Sequence, residues 1–71
     1  MKLPTISGFK LIKIPTKYFG FEVLRQKGSH VTLTNGVIFI TVPLHSELDK
    51  GTLNAILKDA NISREEFLEY L

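Results

Sequence analysis

The 71-residue chain contains no cysteine, which excludes two common ways of stabilising a small protein. A disulfide framework needs paired thiols, and many structural zinc sites use thiolate ligands. The two histidines, with no matched carboxylate between them, give no metal-site pattern either. We therefore expect a domain that folds on an apolar core and needs no metal or other cofactor.

Long apolar runs are also missing. No stretch reaches the length that a membrane-spanning helix requires, and residues 1–5 lack the apolar run of a signal peptide. Linkers, repeats and low-complexity segments are absent from the sequence. The apolar fraction of 44% suffices for a core in a chain of this size. These features predict one cytoplasmic domain, residues 1–71, that does not associate with membranes.

Acidic residues are scarce in the first part of the chain. Residues 1–30 carry six lysines and arginines against a single acidic residue, Glu22. Residues 31–71 carry three basic residues against six acidic ones. Such a basic segment indicates a surface that faces a polyanion, or alternatively an ordinary solvated surface.

Three helices are predicted from capping residues and from apolar residues at helical spacing. Ser7 can cap the first helix, which the interior Pro15 should either end or kink. The second helix should begin near Asp49 or Lys50 and end at a left-handed Asn61. A capping box, Ser63-Arg64-Glu65-Glu66, starts a short third helix. The core stripe expected of the second helix is Leu53, Ile56, Leu57 and Ala60. The apolar positions of the first helix include Leu11, Ile12 and Ile14, and the third helix should carry Phe67, Leu68 and Leu71.

The middle of the chain predicts a three-stranded antiparallel sheet. Its strands should span residues 21–27, 29–34 and 37–42. Asn35-Gly36 favours a two-residue type I′ hairpin, because both central residues of that turn need positive φ. The resulting register pairs Thr34 with Val37, Thr32 with Phe39 and His30 with Thr41, all on the face away from the core. The predicted fold is α+β, in the order α-β-β-β-α, with helices on one face of the sheet and His30 on the open face.

The first hairpin presents a conflict. A two-residue turn at Lys27-Gly28 places Arg25 opposite His30 on the open face. The same register turns Leu24 inward, as expected of an apolar residue. It also turns Glu22 inward, where a charged carboxylate is costly.

The segment Arg25-Gln26-Lys27-Gly28-Ser29-His30 suggests a chemical function. It places an imidazole, which titrates near neutral pH, among cationic side chains. Cleavage of a phosphodiester needs this combination, because a proton must move and negative charge must be held. His30 is therefore the candidate acid–base residue and would take the proton of a ribose 2′-hydroxyl. The alternative is an exposed strand histidine without a catalytic role.

Several other residues are candidates for the same site. The predicted RNA contacts are Lys27, Arg25, Gly28, Ser29 and Lys10. Gly28 is a turn residue whose missing Cβ would also let a phosphate approach the backbone. Ser29 should face inward, so we do not expect it to act as a nucleophile. His45 is either a second acid–base group or a loop histidine that binds local backbone.

Two apolar side chains are expected on the uncovered sheet face. Val37 and Phe39 would form a patch there, and an exposed aromatic on a sheet can stack a base. An apolar patch of this kind also indicates a surface that a protein partner covers. We favour the protein partner.

Short segments along nearly the whole chain occur in an order typical of one family. They are Ile6-Ser7-Gly8, Gly20-Phe21, Arg25-Gln26-Lys27-Gly28-Ser29-His30, Val42-Pro43-Leu44-His45, Lys50-Gly51-Thr52-Leu53, Ile56-Leu57-Lys58 and Ile62-Ser63-Arg64-Glu65-Glu66-Phe67-Leu68. Through them the chain resembles HicA-type toxins of toxin–antitoxin pairs. The resemblance implies a double-stranded-RNA-binding-domain-like fold and an mRNA interferase, a metal-independent endoribonuclease whose catalytic histidine is His30. It also implies mRNA as substrate and a HicB-like antitoxin as partner.

Three features depart from the family pattern. Val31 stands where many members have a second histidine, Pro15 interrupts the first helix, and the hairpin tip Asn35-Gly36 is short. The sequence therefore leaves two alternatives to the mRNA interferase. One is a non-catalytic RNA-binding module with the same fold, and the other is a degenerate toxin that only pairs with its antitoxin.

Overall fold

The computed structural model describes residues 5–71 and contains three helices and a three-stranded sheet. The helices are α1 (Gly8–Tyr18), α2 (Lys50–Asp59) and α3 (Arg64–Glu69), and the strands are β1 (Glu22–Lys27), β2 (His30–Thr34) and β3 (Phe39–Pro43). The predicted α+β order is confirmed. Within residues 5–71 no helix is long and apolar enough to cross a membrane. The expectation about a signal peptide falls mostly on residues 1–4, outside the described residues.

The helices begin where local capping chemistry predicts. The side-chain oxygens of Ser7 and Asp49 each accept a hydrogen bond from a backbone N–H three residues on, at 3.1 and 3.2 Å. Ser63 and Glu66 form the reciprocal capping box at the start of α3. Asn61, with a φ of 59°, adopts the predicted left-handed conformation after α2. All four predictions are confirmed.

Pro15 does not end α1, which continues to Tyr18. A proline inside a helix removes one backbone hydrogen bond. The ring of Pro15 is buried, so its apolar contacts with the core offset part of that loss. The Thr16 hydroxyl donates to the carbonyl four residues earlier, at 2.7 Å, which supports the turn around the proline. Beyond Tyr18, the N–H groups of Phe19 and Phe21 both donate to the Pro15 carbonyl, at 3.1 Å, and close the helix. Of the two outcomes predicted for Pro15, an end of α1 at the proline is therefore wrong.

The β2–β3 hairpin closes through a four-residue loop, residues 35–38, and not through a two-residue turn. Asn35 organises this loop, because its Oδ1 accepts the N–H groups two and three residues on, at 2.9 and 2.7 Å. Gly36 has a φ of +95°, but Asn35 does not have the positive φ that a type I′ turn requires. The side-chain bonds of Asn35 therefore stabilise a wider turn than the sequence motif predicts.

The wider loop shifts the register of the hairpin by two residues. The observed pairs on the open face are His30–Pro43, Thr32–Thr41 and Thr34–Phe39. The predicted pairs His30–Thr41, Thr32–Phe39 and Thr34–Val37 are wrong. A shift by an even number keeps the residues of β2 and β3 on their predicted faces, since strand side chains alternate with a period of two. His30 thus remains on the open face.

The first hairpin turns at Gly28-Ser29, one residue later than predicted. Gly28 has a φ of +59°, which suits the first central position of a type II′ turn. Ser29 was predicted to face the core, but it lies in the turn and is exposed. That prediction is wrong because Ser29 belongs to the turn and not to β2.

The observed register between β1 and β2 removes the conflict in the predicted one, which turned the charged Glu22 toward the core. Lys27 lies opposite His30, and Arg25 lies two pairs further along the ladder, opposite Thr32, so the predicted Arg25–His30 pair is wrong. The ladder is irregular between positions 23 and 25, where Leu24 is the extra residue of a bulge. Beyond the bulge, Glu22 faces outward and is exposed. The inward-facing positions expected for Leu24 and Glu22 are therefore also wrong.

The core lies between the inner face of the sheet and the helices. Its strand residues are Val31, Leu33, Ile40 and Val42, and its helix residues include Leu11, Ile14, Leu53, Ile56, Leu57, Ala60 and Phe67. Ile12 and Leu68 pack against the core and are partly buried. Leu71 is not on the third helix as predicted, since α3 ends at Glu69, and its side chain is 41% exposed. The residues of β1 are all exposed, so this edge strand lies outside the core.

Candidate nucleic-acid interface

His30 is the first residue of β2 and is exposed on the face of the sheet that the helices leave open. Its ladder partner on β1 is Lys27, and its partner on β3 is Pro43. Directly opposed residues in an antiparallel pair have Cβ atoms about 4.5–5.5 Å apart and point to the same side. The Lys27 ammonium can therefore reach a group that the imidazole contacts. Arg25 lies on the same face of β1, two pairs away and opposite Thr32.

The turn beside His30 is held by hydrogen bonds on both sides. The Gln26 side chain donates from Nε2 to the Gly28 carbonyl at 3.0 Å. The Ser29 carbonyl accepts from the Leu44 N–H at 2.6 Å. A side chain at Gly28 would meet no atom within 4 Å, so the positive φ of the turn, and not crowding, requires glycine there. The space in front of this backbone is open to a ligand.

The loop after β3 joins the His30 turn to the start of α1. The Gly8 N–H donates to the His45 carbonyl at 3.0 Å, next to the Leu44–Ser29 bond. A Cβ at position 8 would collide with the carbonyl of Pro43, so this approach of helix to strand needs glycine. The first residues of β2, the β3–α2 loop and the first turn of α1 therefore meet. We call this region the His30 corner.

His45 is exposed on the loop that borders the His30 corner. Hydrogen bonds from the side chain and backbone of Thr52 are the main causes that lower the pKa of Asp49, the N-cap of α2. The electrostatic effect of the nearby His45 is a smaller cause in the same direction. His45 therefore lies next to the His30 corner and close to the N-cap of α2.

Lys10, the remaining predicted RNA contact, lies on a different surface. It shares one face of α1 with Lys13 and Lys17, since residues three, four and seven apart on a helix are neighbours. These lysines line an open cleft of about 190 Å³, which we call the tyrosine cleft. Its lining residues are Lys10, Lys13, Ile14, Lys17, Tyr18 and Tyr70. The lysine spacing is readable from the sequence, but the contribution of Tyr70 depends on where α3 packs.

Exposed apolar side chains lie at the end of the sheet away from His30. Phe39 is 62% exposed and Val37 is 85% exposed, as the sequence predicts, although Val37 belongs to the loop and not to β3. On the edge strand, Val23 and Leu24 are about half exposed as well. The cationic and the apolar parts of the sheet are thus separated along the strands.

The family model that matches the chain is described as HicA toxin of bacterial toxin–antitoxin, and it matches residues 8–62. The matched span runs from the start of α1 to just beyond α2 and includes the whole sheet and the His30 corner. α3 and Tyr70 lie outside it. No curated protein matches the chain.

Proposed function

Since the chain belongs to the HicA toxin family of bacterial toxin–antitoxin pairs, we propose that it is an mRNA interferase that acts in the cytoplasm. His30 is its acid–base residue, and Lys27 and Arg25 hold the phosphate. The observation that carries the proposal is the Lys27–His30 pair, in which a lysine lies directly opposite an exposed histidine on an open sheet face. An open face suits a polymer, because a long chain must lie across the site.

The chemistry of this pair fits cleavage of RNA by its own ribose. The His30 imidazole accepts the proton of the 2′-hydroxyl, and the 2′-oxygen forms a bond to the adjacent phosphorus. The bond from phosphorus to the 5′-oxygen breaks, and that oxygen takes a proton as it leaves. The products are a 2′,3′-cyclic phosphate and a 5′-hydroxyl, so no metal-bound water is required.

Negative charge grows on the phosphate oxygens during this step. The Lys27 ammonium, opposite the imidazole, is placed to bind them, and Arg25 can bind the phosphate of a neighbouring nucleotide. The backbone at Gly28 is open on the side where a Cβ would lie, so a phosphate can also approach the turn there. His45, on the adjoining loop, is the candidate donor of the proton that the leaving oxygen takes.

A HicB-like antitoxin is the proposed protein partner. The apolar part of the sheet, Phe39 and Val37, is the surface that such a protein would cover, because exposed apolar patches commonly mark interfaces. A protein seated there would extend along the open face toward His30. Binding would then block access of RNA to the His30 corner.

The test of the proposed function is cleavage of a labelled mRNA by the purified protein in EDTA, in parallel with His30→Ala. The removal of a general acid–base group should lower the rate about 10²- to 10⁴-fold. Thr41→Ala is the matched control, since Thr41 is exposed on the same face but pairs with Thr32 and not with His30. RNA binding by His30→Ala should persist.

Other outcomes would point to the alternatives. RNA binding without cleavage by the unaltered protein would indicate a non-catalytic module. Neither cleavage nor binding would indicate a degenerate toxin that only pairs with its antitoxin. Equal cleavage by the unaltered protein and His30→Ala would show that His30 is not the acid–base residue.

A further inference from the structure

The tyrosine cleft is a second cationic surface, built on a different element from the His30 corner. Its three lysines recur along one face of α1, and among the described residues its lining includes no acidic side chain. Each ammonium is a flexible point charge with three donors, which suits phosphate groups whose spacing is not fixed in advance. The charge of the cleft therefore favours a flexible polyanion.

The aromatic side of the cleft narrows the choice of polyanion. The rings of Tyr18 and Tyr70 stack with centroids 4.0 Å apart and an interplanar angle of 17°. Phe19 and Tyr70 pack edge to face with ring centroids 5.7 Å apart, so the tyrosine pair is held in place before any ligand arrives. Both tyrosines remain more than two-fifths exposed. Stacked, exposed rings provide a platform on which a further flat ring can stack.

The cationic and aromatic groups are close enough to contact one nucleotide. The Lys17 Nζ lies over the Tyr18 ring, 5.3 Å from its centroid. This flexible side chain must therefore move off the ring when a base stacks there, and its ammonium is then free to contact a flanking phosphate. Proteins that bind single-stranded nucleic acids combine these two features, since lysines follow the phosphates while aromatic rings stack the bases. A paired duplex would offer its phosphates but keep its bases stacked among themselves, so the aromatic pair favours a single strand.

The size of the cleft indicates one unit of a polymer and not a free small molecule. Its volume of about 190 Å³ is below the range of roughly 300–1,000 Å³ in which sites enclose a drug-sized ligand. An open site of this size buries too little of a free nucleotide to bind it tightly. A nucleotide that is already tethered in a bound chain needs no such enclosure, because its effective concentration is high.

We propose that the tyrosine cleft binds one nucleotide of a single-stranded RNA at a distance from the scissile bond. Its base stacks on the Tyr18–Tyr70 pair, and its flanking phosphates contact Lys13 and Lys17. This inference rests on the proposed function for the identity of the nucleic acid. α1 starts at the His30 corner, and Tyr18, at the far end of the cleft, lies about 15 Å along the helix from Gly8. The cleft thus positions the substrate while the corner cleaves it.

The test measures the affinity of fluorescent single-stranded oligoribonucleotides between about 50 and 200 mM salt. All variants carry His30→Ala, so that cleavage does not alter the probe. The double substitution Lys13→Gln and Lys17→Gln should weaken binding and reduce the slope of log K against log salt by about 1.4, or about 0.7 for each lost contact on a single strand. Lys58→Gln, an exposed lysine on α2 away from the cleft, is the matched control and should leave the slope unchanged.

Two substitutions of Tyr70 test whether base stacking on the tyrosine rings contributes to RNA affinity. Tyr70→Leu should weaken binding roughly 5- to 150-fold, the range expected for loss of one base stack. Tyr70→Phe keeps the ring and should bind RNA as the parent does. Because Tyr70 also anchors the end of α3, the melting temperature of each variant is measured alongside. A loss of affinity in Tyr70→Phe equal to that in Tyr70→Leu would overturn the stacking role.

The outcomes separate this inference from the proposed function. Lysine variants with unchanged affinity and salt slope would overturn the RNA-binding cleft even if the parent cleaves RNA. If those variants instead bind an acidic antitoxin more weakly, the cleft is a protein-docking surface and the inference also fails. If the lysine substitutions abolish RNA binding but the unaltered protein, with His30 intact, does not cleave RNA, the cleft is an RNA-binding site and the proposed ribonuclease activity is wrong.

Discussion

Gly8 and His30 illustrate how single residues shape the candidate site. His30 is exposed, so its chemical setting comes from Lys27 across the ladder and not from burial. Gly8 contributes by the absence of a side chain, because the start of α1 lies against the carbonyl of Pro43. The sequence alone identifies His30 as a candidate, whereas the need for glycine at position 8 becomes visible only when the helix and strand are packed together.

The substitution Gly8→Ala should therefore disturb the fold and the His30 corner together. A methyl group at this position collides with backbone, which cannot rotate away as a side chain can. Overpacking of this kind typically lowers the free energy of unfolding by about 1–3 kcal/mol. Urea unfolding measures the loss, and RNA cleavage by the same variant should fall, since β3 must move relative to α1.

Gly51→Ala is the matched control for this prediction. Gly51 lies in the first turn of α2, where an added Cβ would meet only the Asp49 carboxylate, at 3.8 Å. Alanine in a helix is favoured over glycine by roughly 0.5–1 kcal/mol, so this variant should be neutral or slightly more stable. Equal stability of Gly8→Ala and the parent would contradict the close approach of α1 to Pro43.

Among the elements, helices were more predictable than hairpins. Helix starts depend on a side chain and a backbone N–H within the same turn, so Ser7, Asp49 and Ser63 identify them directly. Hairpin registers depend on loop geometry and on bulges, and both hairpins differ from their predicted registers. The buried face was nevertheless predictable for β2 and β3, because alternation survives a shift by two residues.

The cap of α2 makes a testable prediction about acid stability. Hydrogen bonds from Thr52 lower the pKa of Asp49 below the value of 3.8 that applies to the unfolded chain. A carboxyl with a lowered folded-state pKa stabilises the protein above its unfolded pKa, and the contribution disappears as the pH falls through the folded-state pKa. The stabilising effect of Asp49 should therefore be constant above pH 3.8 and decline below it.

Asp49→Asn isolates this effect, because asparagine is an equally good N-cap but does not titrate. The free energy of unfolding of the parent minus that of Asp49→Asn should fall as the pH drops below 3.8. Asp59→Asn, at the other end of α2, controls for the loss of one negative charge. A difference between parent and Asp49→Asn that does not vary with pH would contradict the capping role of the ionised carboxylate.

At the scale of the whole molecule, the basic first half of the chain divides into two surfaces. Arg25 and Lys27 lie on the open face of the sheet, whereas Lys10, Lys13 and Lys17 lie on α1. The uneven charge was readable from the sequence, but its division depends on the packing of α1 against the other face of the sheet. Tyr70 could not be predicted as part of a site, because it approaches Tyr18 only through the position of α3.

The central claim is that His30 activates a ribose 2′-hydroxyl, and a change of one atom in the substrate tests it most directly. An RNA that the protein cleaves at a mapped position is prepared again with a single 2′-deoxynucleotide at that position, and both are incubated with the unaltered protein. Cleavage should disappear at the deoxy position and continue elsewhere, and the fragments of the all-ribose RNA should end in 2′,3′-cyclic phosphate. Unchanged cleavage at the deoxy position would show that another nucleophile attacks the phosphorus and would contradict the role assigned to His30.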